Sequence, residues 1–577
     1  MSRNIAHKAL FINPPSIPYT LLLDALRSKA DWTQPVSMPM GILYLSAVLL
    51  RDFPGIEIKI VDFAKSVQRY FGAFDEKTIE LDELFREILN DEIERGFVPD
   101  FVGISFLFLT AHKTGCLLSK VVKKRWNQVP VIAGGTHATN GINRLFEDGE
   151  IDFVCRGEGE IAVSEFAKVA FSGRLDRVRI QGVVGKDETP SIRGEELARR
   201  VEDLDSIPFP AWELLPMKDY VRGPGGRAMR LESNGQAGEA SIITTRGCPF
   251  ACTFCASWTV HGRKVRYRSI ENLLEELSIL HDRFGVGVIT PEDDLFTANK
   301  DRILGLNEAV RAKFGNRLQF QFPNALSVAT LDEEVIAALV GMGMKVATIA
   351  IESGSPHVQK NIMKKNVDLE KAARVTRLCR DLGVVVRAYF MLGFPGETRE
   401  QMLETVAYST SLSTDWNVYF IATPLLGTEM YRQFVEEGSI DDSFNCDSES
   451  FQERTFDTRG ISASELKKIT YSANINVNFF GNYNLRHGHF ERAISDFRRV
   501  LEAYPWHIVA QYCIGLAYKG MGEKEEFKMT LENCRRLLQT SPEARALYAE
   551  FSDLFHGPKL RQLSFMEPKD KRWHPIP

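Results

Sequence analysis

The sequence has no long apolar run and no second pair of closely spaced cysteines. No stretch of about 20 apolar residues is present, so no membrane-spanning helix is expected. The first residues, MSRNIAHKALFINPP, lack the apolar segment and the small-residue cleavage site of a signal peptide. The formal net charge is only -5, which gives no global reason to expect nucleic-acid binding.

The cysteines do not form the framework of a small disulfide-rich protein. Three of the nine are clustered, and the others are scattered as Cys116, Cys155, Cys379, Cys446, Cys513 and Cys534. Disulfide frameworks are typical of short secreted domains, whereas this chain of 577 residues is long enough for about three domains. We therefore expect a reducing compartment and a cytoplasmic protein.

The clustered cysteines are Cys248, Cys252 and Cys255, with three residues between the first two and two between the last two. Three thiolates leave one iron of a four-iron cube without a protein ligand, so that this iron can bind another molecule. A structural zinc site needs a fourth ligand, for which His261 is the nearby candidate. The spacing favours an iron–sulfur cluster over zinc, and both over a purely structural use of the thiols.

The first 170 residues alternate short apolar runs with segments of helical periodicity. The predicted strands are 8–12, 57–61, 101–105, 131–133 and 153–155. Turns rich in proline or glycine follow three of them, at 13–15, 134–135 and 157–160. This rhythm predicts an α/β domain with a doubly wound, Rossmann-like parallel sheet. Its turns are expected at the carboxyl ends of the strands, where such sheets bind ligands.

A second alternating series occupies residues 241–440. Its predicted strands are 241–245, 286–290, 318–322, 346–351, 384–391 and 418–422. Six strand–helix units predict a partial (β/α)6 barrel, in which chemistry belongs at the carboxyl ends of the strands. The cysteine run follows the first of these strands directly, on the expected functional side.

The last part of the chain is predicted to be purely helical and to carry a repeat. Gly481 and Gly515 are 34 residues apart, as are Gly488 and Gly522, and this spacing is typical of tetratricopeptide units. The predicted domains are a Rossmann-like domain (1–170), a linker (171–240), the barrel (241–440), a linker (441–463), an all-α repeat domain (464–556) and a polar tail (557–577).

Residues 241–440 resemble the radical S-adenosylmethionine (SAM) enzymes, in the cysteine run and in the turns after the later strands. The resemblance implies that Cys248, Cys252 and Cys255 hold a [4Fe–4S] cluster whose open iron binds the amino and carboxylate groups of SAM. By position in the family's motifs, further SAM contacts are implied at Phe254, Glu292, Asp293, Glu352, Ser353, Gly393 and Pro395. The turn at 424–428 completes the set.

Some of these positions also have an ordinary structural interpretation. An aspartate such as Asp293 is favoured at a helix N-terminus, and a turn such as that around Gly393 and Pro395 occurs in many proteins. Arg387 and Tyr389, inside the fifth strand, are the candidate catalytic residues if they face the cavity rather than the surrounding helices.

Residues 8–165 resemble the cobalamin-binding domain that precedes the barrel in one branch of that family. The matching segments are 13–15, 39–45, 103–105, 134–137 and 157–160. The resemblance implies cobalamin contacts at Asn13, Pro14, Pro15, Gly41, Ser105, Gly134, Gly135, His137, Gly157 and Glu158.

One motif of cobalamin proteins is missing. The mutases carry Asp-x-His-x-x-Gly, whose histidine binds the lower face of cobalt, but Asp62 is not followed by a histidine two residues later. The lower face is then left to water, to Gln68 or Arg69, or to nothing. His112 and His137 are weaker candidates, because a lone histidine is more often structural.

The two resemblances together imply a cobalamin-dependent radical SAM methyltransferase. One SAM methylates cobalamin, and a second yields the 5′-deoxyadenosyl radical that opens an unactivated carbon to methyl transfer from methylcobalamin. Two alternatives use the same cofactors: a cyclase or rearrangement enzyme, and non-radical methylation of an sp2 carbon. A third is a non-catalytic scaffold. Methylthiolation is disfavoured, because the N-terminal domain lacks the cysteines for a second cluster.

The implied partners are an electron donor such as flavodoxin or ferredoxin, and no nucleic acid. The helical repeats are expected either to cap the barrel mouth or to bind a peptide or carrier protein, which is the commoner use of such repeats.

Overall fold

The computed structural model describes residues 7–27, 37–74, 80–175, 179–188, 196–221, 238–441, 444 and 451–555. The predicted polar tail at 557–577 and much of both predicted linkers lie outside these residues. The chain divides into two compact units, and the division runs through the predicted barrel. Unit 1 holds the described residues up to 324 with 341–344 and 424–444, and unit 2 holds 325–340, 345–423 and 451–555. The predicted domain borders stay predictions.

Unit 1 begins with a six-stranded sheet in the order β2-β1-β3-β4-β5-β6. The strands are β1 (Lys8–Asn13), β2 (Glu57–Asp62), β3 (Phe101–Ser105), β4 (Val131–Gly134), β5 (Phe153–Cys155) and β6 (Val183–Gly185). All pairs are parallel except β5 with β6. The five strands predicted from the sequence are confirmed to within one residue.

The sheet is covered on both faces, as the prediction of a doubly wound domain requires. In β1, Leu10 and Ile12 join one hydrophobic core, whereas Ala9 and Phe11 join another. The helices of this region are α1 (Tyr19–Arg27), α2 (Met40–Asp52), α3 (Phe63–Ser66), α4 (Leu81–Glu92), α5 (His112–Arg125), α6 (Thr136–Asn140), α7 (Ile142–Asp148), α8 (Glu160–Phe171) and α9 (Met217–Val221). The strand order reverses between β1 and β3, and the ligand crevice of such sheets lies outside the carboxyl ends of the strands at that point.

The rest of unit 1 contains a three-stranded parallel sheet and a two-stranded ribbon. The sheet has the order β11-β10-β7, with β7 (Gly238–Ile242), β10 (Val286–Pro291) and β11 (Gln319–Phe320). The antiparallel ribbon pairs β8 (Thr245–Arg246) with β9 (Arg266–Tyr267). The predicted strand at 241–245 is therefore wrong in its bounds. The chain leaves the sheet after Ile242, because the backbone N–H of Thr244 is bound by the side chain of Asp293.

A four-stranded sheet, β12-β13-β14-β15, carries the later strands, and its β13–β14 and β14–β15 pairs are parallel. They are β12 (Phe322–Ser327), β13 (Val346–Glu352), β14 (Val385–Leu392) and β15 (Trp416–Ile421). The predicted single strand at 318–322 is split, since Gln321 separates β11 from β12. The strands thus belong to two sheets, of three and four strands, and the partial barrel stays a prediction.

The remaining helices follow the strands and then continue alone to the end of the described chain. They are α10 (Trp258–His261), α11 (Ile270–Phe284), α12 (Lys300–Phe314), α13 (Glu333–Gly341), α14 (Leu369–Asp381), α15 (Arg399–Ser411), α16 (Glu429–Glu437), α17 (Ala463–Ile475), α18 (Tyr483–Arg486), α19 (Phe490–Ala503), α20 (Ile508–Met521), α21 (Lys524–Thr540), α22 (Pro542–Glu550) and α23 (Ser552–Phe555). Every helix in the described part is too short or too polar to cross a membrane.

The C-terminal helices repeat one turn at the predicted spacing. Gly488 and Gly522 have left-handed φ angles of 79° and 83° and precede α19 and α21. The other predicted pair has no common role, because Gly481 ends a π-helical turn whereas Gly515 lies inside α20. The tetratricopeptide assignment itself stays a prediction.

The same helices attach to the amino ends of β14 and β15. The side chain of Asn478 bonds the backbone of Asn417, and that of Asn482 bonds the carbonyl of Asp415, just before β15. Within unit 2 these contacts lie at the end opposite to the carboxyl ends of the strands. Leu466 of α17, however, lies beside Gly393 at the carboxyl edge, so the expectation that the repeats cap the barrel mouth stays a prediction.

Candidate functional site

The three cysteines lie on the loop that the β8–β9 ribbon closes at its base. Arg246 and Arg266 are opposite each other in this ribbon. The backbone N–H of Cys248 donates to Gly262 (N···O 3.2 Å), and that of Cys255 donates to Cys252 (3.3 Å). All three cysteines are half-buried, so the loop is folded while its thiol-bearing residues stay accessible.

Two aspartates after β10 bind the beginning and the middle of this loop. Asp293 accepts hydrogen bonds from the backbone N–H (2.6 Å) and the hydroxyl of Thr244. Asp294 accepts from the backbone N–H of Gly247 (2.9 Å) and from the hydroxyl of Ser257. Burial raises the pKa of Asp293 to about 6, although the bonds from Thr244 oppose that rise. The structure therefore makes Asp293 a support of the cysteine loop, and its SAM contact stays a prediction.

The cysteine loop carries the three thiols that an iron–sulfur cube with one open iron requires. Among the residues that the structure describes, no three His, Cys, Asp or Glu side chains converge as ligands of one ion. A cube does not need such convergence, because each thiolate binds a different iron. Three half-buried cysteines on one loop with a fixed backbone meet the cube's requirement.

Glu292 is well placed to accept a hydrogen bond from an ammonium group. Its carboxylate accepts from the hydroxyl of Ser241 (3.0 Å) and from the side-chain amide of Asn324 (2.8 Å), at the carboxyl ends of β7 and β10. A carboxylate offers about four lone-pair positions, so two stay open after these bonds. The side chain is half-buried, and its partners fix its orientation.

In unit 2, the carboxyl end of β13 has a strained backbone. Glu352 has a left-handed φ of 70°, which is costly for a residue with a Cβ and is often found at functional sites. Its side chain forms an ion pair with Lys365 (2.7 Å). The neighbouring Ser353 is fully buried, and its hydroxyl bonds that of Thr405 (3.0 Å). Ser353 thus shapes the turn, whereas Glu352 carries the feature that indicates a site.

The turn after β14 is bound by a buried glutamate. One carboxylate oxygen of Glu397 accepts from the backbone N–H groups of Gly393 (2.7 Å) and Phe394 (3.0 Å). Burial raises the pKa of Glu397 to about 8, against these bonds and the charge of Arg454. Gly393 and Pro395 therefore lie in a rigid turn at the carboxyl edge of the unit 2 sheet, which also carries Glu352. Glu397 was not predicted, because nothing in the sequence distinguishes it from a surface glutamate.

The two candidate catalytic residues lie on one face of β14. The side chains of β14 alternate between half-buried and buried, and Arg387 and Tyr389 belong to the half-buried set. The ring of Tyr389 contacts that of Phe420 on β15, at 5.1 Å between centroids. Burial raises the pKa of Asp496 in α19 to about 7, and the charge of Arg387 is one of those that oppose this rise. Arg387 therefore has a structural partner, and a catalytic role for either residue stays a prediction.

At the predicted cobalamin edge of unit 1, Asn13 binds and orients the side chain of Asp62. Its side-chain amide donates to the buried Asp62 (2.8 Å), which also accepts from the hydroxyl of Tyr220 (2.6 Å). Burial raises the pKa of Asp62, against these hydrogen bonds. Asp62 ends β2, and the sequence did not reveal that Tyr220, from the connecting segment, reaches it.

The same edge offers an open and partly apolar surface, as a corrin requires. A Cβ at Gly41 or at Gly134 would meet no atom within 4 Å. Leu107 and Phe108, just after β3, are each 49% exposed, which is unusual for large apolar side chains near a sheet edge. Gly135 has a φ of 113° and lies against the backbone of Phe106, where a side chain would not fit. Among the other predicted contacts, Pro14, Pro15 and Gly157 are buried and Ser105 is half-buried.

His137 is part of a buried chain of hydrogen bonds. Its Nε2 lies 2.9 Å from Nδ1 of His112, whose Nε2 lies 2.8 Å from the carboxylate of Asp148. Burial lowers the pKa of His137 to about 3, so this imidazole is neutral. Of the other candidates for the lower face of cobalt, Arg69 forms an ion pair with Glu92 (2.5 Å). The hydrogen bonds from His137 to His112 and from His112 to Asp148 fit the structural role that the sequence favours for both histidines.

Glu158 binds side chains of the cysteine region, and its predicted contact with cobalamin stays a prediction. It was expected to contact cobalamin, but its side chain is 1% exposed and its carboxylate is bound by Arg266 and by Nδ1 of His261 (2.9 Å). Burial alone would raise its pKa, yet the bonds from Arg266 and His261 lower it to about 2. Both partners belong to the cysteine region, so Glu158 connects that region to the six-stranded sheet.

Comparison with known proteins identifies both regions. Residues 242–408 match the model of the radical SAM superfamily, and residues 34–167 match that of the B12 binding domain. An uncharacterized methyltransferase of Pyrococcus horikoshii is 29% identical over 74% of this chain and 83% of its own length. Cytidylyl-2-hydroxyethylphosphonate methyltransferase of Streptomyces wedmorensis is 27% identical over 70% of this chain and 79% of its own length.

A solved structure shares the overall fold. The cobalamin-dependent SAM radical enzyme OxsB with aqua-cobalamin bound has a TM-score of 0.60 at 14% identity, over 96% of this chain and 85% of that one. The two family models make the chain a radical SAM enzyme, and its cofactors are a [4Fe–4S] cluster, SAM and cobalamin. Both of the curated relatives above are methyltransferases.

Proposed function

We propose that the enzyme transfers a methyl group to an unactivated carbon by a radical route. The observation that carries the proposal is that the cysteine loop and the predicted corrin edge belong to one compact unit and are joined by buried ion pairs. A radical formed at the cluster and a methyl group carried by the corrin must meet at one carbon. A fixed relation between the two supports is what that chemistry needs.

The chain's own residues have the following proposed roles. Cys248, Cys252 and Cys255 hold the cluster, and Glu292 accepts from the ammonium group of SAM. Glu352, Ser353, Gly393 and Pro395 complete the SAM site, with Phe254 beside the adenine. Asn13, Ser105, Gly134 and Gly135 form the cobalamin edge, and Tyr389 faces the substrate.

When bound, the cluster supplies one electron to cleave SAM, and cobalamin carries the methyl group. The electrons must come from outside the chain, and we propose a cytoplasmic flavodoxin or ferredoxin as donor. The C-terminal helices, which attach at the amino ends of β14 and β15, leave their outer surfaces for a peptide or carrier protein. They are not proposed as a lid.

Half-reactions test the proposal before a substrate is known. The full chain is purified anaerobically, reconstituted with iron, sulfide and hydroxocobalamin, and incubated with reductant and methyl-labelled SAM. We expect S-adenosylhomocysteine with label on the protein-bound corrin, and slow release of 5′-deoxyadenosine. Methyl transfer with no deoxyadenosine would instead indicate non-radical methylation, and deoxyadenosine with no methyl transfer would indicate a cyclase or rearrangement enzyme.

A variant tests the SAM site separately. In Glu292→Gln the bond from Ser241 can persist, but the negative charge that attracts the ammonium is lost. We expect SAM to bind about tenfold more weakly, because bonds to charged groups contribute about 1.5–3 kcal/mol. The control is Glu271→Gln, an exposed position in the first turn of α11. Equal SAM affinity in the two variants would remove Glu292 from the site.

A further inference from the structure

Two glutamates of the B12-type domain bind two arginines of the radical SAM region in a buried group of charged side chains. We call this group the ion-pair network; it consists of Glu158, Glu160, Arg246, Arg266 and His261. Glu160 binds Arg246 at 2.6 Å, and Glu158 lies 3.5 Å from the same guanidinium and binds Arg266 through both oxygens. None of the four charged side chains is more than 7% exposed.

The ion-pair network joins the base of the cysteine loop to the carboxyl end of β5. Arg246 precedes Gly247 and Cys248, and Arg266 is its partner in the ribbon that closes the loop. Glu158 lies in the turn after β5, and Glu160 begins α8. Arg246 is also 5.6 Å from the ring of Tyr44 on α2, so it contacts two helices of the B12-type domain.

Further contacts between the same two regions lie beside the ion-pair network. The side-chain amide of Asn140, at the end of α6, donates to the hydroxyl of Thr259 in α10 (2.9 Å). A Cβ at Gly427 would lie 2.0 Å from the side chain of Asn140, so the 424–428 turn also packs closely there. The backbone N–H of Met430 donates to the carbonyl of Thr253, between two of the cysteines (2.8 Å).

We propose that Glu158 and Glu160 are positioning residues, which hold the cysteine loop at a set place relative to the cobalamin edge. Buried ion pairs contribute little net stability, because desolvation offsets their attraction, but they require one arrangement of the chains that bear them. Two carboxylates and two guanidiniums balance in charge, and Arg266 also donates to the carbonyl of Val201 (2.6 Å). The proposal rests on the assigned cofactors and not on the methyl acceptor.

The test uses Glu158→Gln and the charge-balanced Glu158→Gln/Arg266→Gln, so that one variant remains if burying an unpaired arginine prevents folding. The control is Glu165→Gln on α8, the helix that Glu160 begins, whose exposed side chain pairs with Arg199. In the cofactor-free protein, iodoacetamide labelling of Cys248, Cys252 and Cys255 is followed by mass spectrometry. We expect about tenfold faster labelling in both test variants, since local opening governs access to folded groups. Labelling at the control rate would overturn the proposal.

A spectroscopic measurement distinguishes positioning from cobalamin binding. The reconstituted proteins are loaded with hydroxocobalamin and reduced, and the spin relaxation of cob(II)alamin by the reduced cluster is measured by pulsed electron paramagnetic resonance. We expect normal cobalamin content but altered relaxation, because the magnetic coupling depends on the distance between the two centres. Unchanged relaxation with reduced cobalamin content would make Glu158 a cobalamin ligand instead. Both readouts stay informative if the methyl-transfer half-reaction fails.

Discussion

Two buried acids connect separate parts of this chain, and they do so at opposite ends of their strands. Glu158 lies in the turn at the carboxyl end of β5 and binds Arg266 of the cysteine region. Asp415 precedes β15 and binds Arg380 (3.3 Å) and Arg492 (3.2 Å), the latter from the C-terminal helices. Both side chains are 1% exposed.

The difference shows how the fold separates chemistry from support. In parallel α/β folds the carboxyl ends of the strands carry the reactive groups, whereas the amino ends serve stability. The Glu158 connection lies beside the cysteines, so its loss is expected to change cofactor behaviour. The Asp415 connection also binds the backbone N–H of Val386 (2.7 Å) at the start of β14, so its loss is expected to change stability alone.

The largest effect is expected at the cysteine loop. Cys252→Ala removes one of the three proposed cluster ligands, and we expect iron content and SAM cleavage to fall to background. The matched control is Cys534→Ala, a buried cysteine of the C-terminal helices, which should keep both. Iron analysis and chromatography of 5′-deoxyadenosine provide the measurements. A Cys252→Ala protein with a normal cube would refute the assignment of the cluster.

Asp415→Asn is expected to have the next largest effect, on stability. It leaves Arg380 and Arg492 without their counter-charge, and breaking such a buried pair costs about 3–5 kcal/mol. Hydrogen exchange measured by mass spectrometry should show lost protection in 490–521, whereas iodoacetamide labelling of the three clustered cysteines should stay normal. Glu370→Gln, whose side chain is 92% exposed, is the control. Faster labelling of the cysteines in Asp415→Asn would show that the Asp415 contacts also affect the cysteine loop, against the proposed difference from Glu158.

The two regions should also respond differently to pH. Burial raises the pKa of Asp496 in α19 to about 7, against the charges of Arg499, Arg387 and Arg492 and with the charge of Asp415. Because this folded-state pKa lies above the usual value, the associated stability is present in acid and is lost as pH rises through about 7. Glu158, with a pKa lowered to about 2, keeps its contribution above pH 4.3 or so and loses it only toward pH 2.

Urea unfolding monitored separately in the two regions by hydrogen exchange tests this difference. Between pH 5 and pH 8 we expect the C-terminal helices to lose about 2 kcal/mol while the cysteine loop is unchanged. Asp496→Asn should remove the loss, because an amide does not titrate. A loss that persists in Asp496→Asn would assign the pH response to another group.

The smallest effect concerns the place where a C-terminal helix reaches the carboxyl edge. Gly393 and Gly396 both have left-handed φ angles, 85° and 74°, but a Cβ at Gly393 would lie 2.5 Å from Leu466 of α17, whereas one at Gly396 meets nothing within 4 Å. Gly396→Ala should cost about 1–2 kcal/mol for the backbone alone. Gly393→Ala should cost about 1 kcal/mol more, through overpacking. Equal unfolding free energies would mean that Leu466 moves aside freely.

The sequence predicted the strands well where their apolar runs are bounded by glycine or proline, as in β1, β4 and β5. It failed where a side chain from elsewhere redirects the backbone. Asp293 draws Thr244 out of the strand that was predicted to continue to Thr245. No local pattern reports such a bond, because its partners are 49 residues apart in the chain.

The candidate site shows the same limit. The cysteine spacing is local, so the cluster residues and their chemistry follow from the sequence. Glu158 lies in a matching Gly-Glu-Gly-Glu turn and was predicted to contact cobalamin, but its partner Arg266 is 108 residues away. An acidic side chain becomes buried where the fold brings cationic side chains to it. No local sequence pattern predicts such pairs, because the partners are far apart in the chain.

The sequence alone indicated the cofactor chemistry of this protein, because the spacing of three cysteines indicates a cluster with an open iron and the resemblance to known families implies SAM and cobalamin. Only the tertiary structure decided how these parts are held together. It assigned Glu158 and Glu160 to the cysteine loop and Asp415 to the C-terminal helices. The physical reason is that a charged side chain is buried only where oppositely charged side chains offset the cost of desolvation. Here those partners come from distant segments, which are brought together only in the folded chain.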